Sequence, residues 1–329
     1  IYMEQSAVRD GVTAEEVKGI LLGMASGQET LLGYFRRFIR NFEKRVGINR
    51  TVGSLRAYSN AYSHIERFLQ AQYKLSDIPF SALDRSFIDK YDLYLRTERN
   101  LAPGTIINLT VQLKTIVGEA IADGIITASP FMGYEPMRPK HVQKYLTAEE
   151  LHRIMTTPLH RQTLYHVRDM FLFSCFTGIP YGDMRLLTKD NQCLAEDGIW
   201  WIKSARQKTK IEFEIPLLDL PLQILKKYSG TAPGDKLLPM YCNSTLNLYL
   251  KEIARICHID RPLVFHAGRH TYATEITLSH GVPLETVSRM LGHSQIETTQ
   301  IYAKVTDEKI DADTKALNRK ISERFSVVI

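Results

Sequence analysis

The chain has 329 residues, 44% of them hydrophobic and 24% charged. That composition excludes disordered and fibrous classes, and the length suggests roughly two domains of ordinary size. No apolar run approaches the roughly 20 residues a membrane span requires, and 42 Lys and Arg against 36 Asp and Glu leave +6, an excess that permits nucleic acid as a partner without demonstrating it.

The charge is unevenly placed. Residues 1–29 carry two basic and five acidic residues, and Thr13-Ala-Glu-Glu16 resembles a capping box that opens a short leading helix. Between residues 31 and 56 stand Arg36, Arg37, Arg40, Lys44, Arg45, Arg50 and Arg56 against the single acid Glu43. Such a run suits either a solvated helix face or a phosphate-binding surface. Leu31, Leu32, Phe35, Phe38, Ile39 and Phe42 recur at three and four residues, predicting a helix with one buried face and most of the arginines off it. A second helix is expected from a Ser54 cap, with Leu55, Tyr58, Tyr62, Ile65 and Leu69 as its stripe. A third is expected over Arg85 to Arg96. A fourth begins near Pro103 and carries Ile106, Leu109, Leu113, Ile116 and Ala120.

Pro130, Pro136 and Pro139 then punctuate a basic segment, so residues 131–146 read as a linker between domains. A second capping box, Thr147-Ala-Glu-Glu150, opens the next domain. A helix is expected over about 160–176. Ile199-Trp-Trp-Ile202 and Ile211-Glu-Phe-Glu-Ile215 read as two strands around a basic turn. Helices resume near Pro221, Ser244, Ala267, Pro283 and Gln295, and a charged amphipathic tail starts at Asp307. The fold class is therefore mainly α with a small β-sheet.

Four cysteines, Cys175, Cys193, Cys242 and Cys257, lack CxxC spacing. This argues against a zinc ribbon or disulfide scaffold and fits a reducing, cytoplasmic compartment. No secretory signal is visible, and the start at Ile1 rather than Met reads as a fragment.

His266-Ala-Gly-Arg-His270 places two histidines at i and i+4. A zinc hydrolase would need a glutamate where Ala267 stands, so metal catalysis is the weaker reading. The stronger one uses Arg269, whose guanidinium grips two phosphate oxygens at once. Downstream lie Leu291-Gly-His293 and Tyr302. A tyrosine attacks phosphorus only where its surroundings stabilise the phenolate and the charge developing on the phosphate.

His266-x-x-Arg269-His270, Leu291-Gly-His293 and Tyr302, with Lys208 in the turn between the strands, together resemble the catalytic region of the tyrosine recombinases, the phage-type integrase family. The resemblance covers about residues 145–305 and, more loosely, the helical first half. It implies a helical core DNA-binding domain over 30–130, a mixed α+β catalytic domain over 147–306, and a clamp formed by the two on DNA. Residues 1–29 would be the remnant of an N-terminal arm region, and residues 307–329 a tail that docks on a neighbouring protomer.

It further implies double-stranded DNA as substrate, a homotetramer, accessory DNA-bending proteins, and a mobile element served in the bacterial cytoplasm. The chemistry would need no metal, cofactor or ATP. Tyr302 would be the nucleophile, Arg269 a phosphate clamp, His266 the proton acceptor, His293 a hydrogen-bond donor to the phosphate, and Lys208 the general acid. Asp183 and His270 would support the site, and Arg36, Arg37, Arg40, Lys44, Arg45 and Lys210 would contact DNA. One position departs from the pattern: the family's first catalytic arginine is replaced by Pro180, as in a subgroup of mobile-element integrases. Arg168, a charge in an otherwise apolar helix, is the first candidate to replace it, and Arg185 the second. A DNA-binding protein that has lost catalysis is the alternative that Pro180 suggests, and a type IB topoisomerase would share the chemistry.

Overall fold

The computed structural model describes residues 29–138, 144–302 and 307–322. Two compact units divide the chain between His141 and Val142. The leading helix expected around Thr13 lies outside the described residues.

Among the described residues the first unit holds four α-helices: α1 (Leu31–Glu43), α2 (Val52–Phe68), α3 (Arg85–Thr97) and α4 (Pro103–Ala122). The periodic apolar residues of each helix meet in one core. At its centre Phe68 lies 5.3, 5.1 and 5.3 Å from the rings of Phe87, Tyr91 and Tyr94. Edge-on and tilted aromatic contacts of this kind add to the area they bury. The caps differ from those expected. Thr51, not Ser54, caps α2, its hydroxyl accepting from the Ser54 amide at 3.1 Å. The free amides at the start of α1 are met from a distance: Leu32 and Gly33 donate to the two carboxylate oxygens of Asp77 at 2.8 and 3.0 Å.

Part of the expected linker belongs to this unit. Phe131 and Tyr134 are buried in its core. The Phe131 ring stacks on Phe87 at 6.1 Å, and the Tyr134 hydroxyl donates to Asp92 at 2.6 Å. An apolar ring buries itself wherever a core is within reach, whatever prolines surround it in sequence.

In the second unit, α5 (Ala148–Thr156) starts at the expected capping box. Glu150 N–H donates to Thr147 Oγ1, and Thr147 N–H donates to Glu150 Oε2 at 2.9 Å. Helix α6 (Gln162–Thr177) is apolar on most sides and forms the interior of the unit. A short α7 (Tyr181–Met184) leads to an antiparallel sheet of β1 (Gln192–Leu194), β2 (Trp200–Ala205) and β3 (Glu212–Pro216), in the order β1-β2-β3. Ile202 pairs with Ile215, and both turn inward while Glu212 and Glu214 face solvent. Strand β1 has no alternating pattern and was not expected from the sequence.

There follow α8 (Asp219–Lys227), α9 (Asn243–Ile256), α10 (Ala267–Thr271), α11 (Leu284–Leu291), α12 (Glu297–Gln300) and α13 (Asp307–Ser322). The chain is thus mainly helical with one small sheet. No described helix is long and apolar enough to cross a membrane.

Candidate active site

Arg269 sits on α10 and is 3% exposed. Its Nη1 donates to Gly178 O at 2.9 Å, and its Nη2 donates to Leu291 O at 2.8 Å. These carbonyls close α6 and α11, and the C-terminal ends of helices carry partial negative charge that favours a cation. Arg269 Nη2 also lies 2.8 Å from His293 Nε2, and His293 Nδ1 lies 2.7 Å from Thr299 Oγ1. Because the guanidinium only donates, Nε2 accepts, and the proton of His293 sits on Nδ1. Burial, followed by the charges of Arg269 and Arg206, holds the His293 imidazole down at about 4. Burial and then Arg206 lower Arg269 to about 10, which leaves it cationic at neutral pH.

Tyr302 is buried beside this arginine, in a cluster with Tyr272, Ala273, Val287 and Leu291. Its ring centre lies 5.1 Å from that of His270, edge to face, and 6.2 Å from that of His293, nearly parallel. His266, at the start of α10, meets His270 at 5.0 Å. Burial and then the neighbouring His266 bring His270 to about 4, and burial and then Arg269 bring His266 below its ordinary value. All three imidazoles are therefore neutral at pH 7, and the lone pair of His293 Nε2 is already engaged by Arg269, so only His266 and His270 are left to take up a proton. The ring that meets Tyr302 edge to face is His270, the residue expected to support the site.

Asp183 is buried as well. Its Oδ1 accepts from Gln207 N–H at 2.8 Å, and its Oδ2 lies 2.7 Å from Arg206 Nε. Lys208 and Lys210 are exposed in the turn after β2, and Lys210 holds a left-handed φ of 60°. Tyr272 packs in the core with its hydroxyl toward Met290 Sδ.

The structure does not bring Arg168 into this group. Its Nη1 donates to Thr157 O at 3.2 Å and Ile154 O at 3.5 Å, and its guanidinium lies 4.7 Å from the Tyr165 ring centre. The carbonyls at the end of α5 and an aromatic face compensate the charge, and the anionic partner expected for it is local: Asp169 Oδ1 lies 4.0 Å from Arg168 Nε. Arg185 is exposed at the end of α7. The arginine that sequence reasoning passed over is Arg206. Two signals for it were present: a buried-type acid, Asp183, with no named partner, and an unassigned arginine in the basic turn.

On the first unit, Arg36, Arg37, Arg40, Lys44 and Arg45 are exposed on and just after α1. Arg36 donates to the Tyr62 hydroxyl at 2.5 Å, and Arg37 pairs with Glu29 at 2.7 Å. Among the described residues no group of three His, Cys, Asp or Glu side chains is placed to hold a metal ion.

A tyrosine flanked by neutral imidazoles and a buried arginine, on a helical scaffold with one small antiparallel sheet among the described residues, is an arrangement suited to phosphoryl transfer through tyrosine. Known proteins narrow this class. Residues 144–309 match the model of the phage integrase family, and residues 30–136 that of the phage integrase SAM-like domain. The tyrosine recombinase XerD of Listeria monocytogenes is 25% identical over 273 residues, covering 78% of this chain and 89% of that one. XerD of Pseudomonas putida is 44% identical over 152 residues, covering 42% and 49%. Among solved structures, the Tn1549 transposon integrase in complex with transposon right-end DNA has a TM-score of 0.68 at 18% identity, covering 88% of this chain and 99% of that one. A lambda integrase tetramer bound to a Holliday junction has a TM-score of 0.68 at 16% identity, covering 93% and 87%. The chain belongs to the phage integrase family and is a site-specific recombinase of the tyrosine type.

Proposed function

We propose that this recombinase serves a mobile element and joins DNA duplexes through a 3′-phosphotyrosyl intermediate formed by Tyr302. The observation that carries the assignment is the setting of the phenol: His270 and His293 flank its ring, and His293 is hydrogen-bonded to Arg269. The tyrosine oxygen attacks the phosphorus, a Tyr–O–P bond forms and the P–O5′ bond breaks. Arg269 stabilises the negative charge on the non-bridging oxygens. The His266–His270 pair takes the phenol proton, and Lys208 protonates the departing 5′-oxygen. A 5′-hydroxyl from a second duplex then attacks the same phosphorus and releases Tyr302. One phosphoester replaces another, so the sequence of steps balances without ATP.

Residues 147–306 carry this chemistry in our reading, and residues 30–130 hold the duplex. The exposed basic residues of α1, with Lys210 of the hairpin turn, suit contacts to backbone phosphates, which position a protein without reading sequence. Four protomers are needed to exchange two pairs of strands, with the tail from 307 docking on a neighbour and accessory proteins bending the DNA. Convergence of Arg269, His293 and Tyr302 in one place favours catalysis over the alternative of a DNA-binding protein that has lost it.

The test begins with a randomised pool of nicked duplexes, from which the wild-type full chain captures its substrate as a covalent adduct. The nick lets the 5′-fragment diffuse away and traps the intermediate. A protein–DNA adduct that survives SDS and disappears in Tyr302→Phe is expected. Persistence of the adduct in that variant would refute the assignment of the nucleophile.

A further inference from the structure

Arg206 follows β2 directly, and its side chain turns back toward α11. Its Nη1 donates to Leu291 O at 3.0 Å, the same carbonyl that accepts from Arg269 Nη2 at 2.8 Å. Its Nε is paired with Asp183 at 2.7 Å, and both side chains are largely buried, at 16% and 5% exposure. Two guanidinium groups therefore converge on one carbonyl, with the Asp183 carboxylate paired to Arg206 and no hydrogen-bond partner for Arg206 Nη2 among the described residues. Burying unequal charge is costly unless a further anion completes the set.

The position is built with care. Gly292, which ends α11 with φ +64°, gives the side chain its path: a Cβ there would stand 2.9 Å from Arg206 Cγ. Asp183 grips the hairpin twice, through Arg206 and through the Gln207 amide at 2.8 Å. Asp183 lies three residues beyond Pro180, where an arginine is missing from the expected pattern. Its carboxylate has found its cation on the hairpin instead.

We propose that Arg206 is the second phosphate-binding arginine of the site, holding a non-bridging oxygen of the scissile phosphate opposite Arg269 in the place that Pro180 leaves without one. The proposal rests on the reading that Tyr302 cleaves DNA. It has a consequence for the mechanism. Arg206 and Lys208 lie two residues apart in one turn, so phosphate binding and proton donation are delivered by the same hairpin.

The experiment compares adduct formation by the full chain on two forms of the captured nicked duplex. One carries the ordinary phosphodiester, the other a methylphosphonate at the scissile position, which removes one anionic oxygen. Arg206→Gln is expected to slow cleavage of the phosphodiester by about 10²–10³, as loss of a charge-stabilising donor does. On the uncharged methylphosphonate the same variant should cleave nearly as fast as wild type. The double variant Arg206→Gln/Asp183→Asn removes the carboxylate left unpaired. It should regain thermal stability without regaining phosphodiester cleavage.

Phosphodiester cleavage by Arg206→Gln at the wild-type rate would overturn the proposal. So would an equal deficit on both substrates, or recovery of cleavage in the double variant, since either would mark a purely structural arginine. Failure of the underlying reading looks different: Tyr302→Phe would still form the adduct.

Discussion

Gly178→Ala tests how the turn after α6 supports the site. Gly178 ends α6 with φ +69°, a conformation that costs an L-residue about 1–2 kcal/mol. A Cβ there would also stand 2.5 Å from Tyr272 Cδ1 and 2.8 Å from Leu291 Cδ2. Both side chains are buried, so neither can swing into solvent. Overpacking of this kind adds roughly 1–3 kcal/mol, giving about 2–5 kcal/mol in all. Gly198→Ala is the control. It has φ +82° in the turn between β1 and β2, but nothing lies within 4 Å of its Cβ position, so only the backbone cost of about 1–2 kcal/mol applies.

Urea unfolding of the full-length variants, followed by circular dichroism, measures both losses. Gly178→Ala should exceed Gly198→Ala by at least about 1 kcal/mol, from the overpacking component alone. Adduct formation should fall with it, because Gly178 O holds Arg269 Nη1. Equal losses in the two variants would refute the steric argument.

Two further outcomes are expected. Arg168→Gln should lose roughly 1–3 kcal/mol of stability with its charged hydrogen bonds to the end of α5, while the folded variant forms the Tyr302 adduct at the wild-type rate in the nicked-duplex assay. A hundredfold slower adduct would return Arg168 to the site. His270 and His293 titrate at about 4 when folded, against 6.5 in the unfolded chain. The unfolded state then binds more protons between those values. The stability of the DNA-free protein should be fully present above pH 6.5 and decline as pH falls toward 4. Thermal melts over that range should show the decline, and His270→Asn should reduce it; a pH-independent melting temperature would contradict the burial of these rings.

The sequence by itself determined the helical elements, the capping box at Thr147 and the order of the motifs around Arg269, His293 and Tyr302. These signals are local: a buried helix face repeats every three or four residues, and a cap spans three. It also marked Pro180 as a position that cannot bind phosphate. What replaced that arginine was decided by tertiary structure. Arg168 lies in an apolar helix and Arg206 in a basic turn, and only the folded chain shows that one closes α5 while the other meets Leu291, 85 residues away. The cap that Asp77 supplies to α1 comes from 45 residues along the chain. Strand β1 exists because β2 offers it a free edge. The contact of the His270 ring with Tyr302 joins residues 32 apart in the chain. The contacts of Arg206 with Leu291 and of Asp77 with α1 pair groups far apart in sequence, where periodicity carries no information and only packing brings polar groups together.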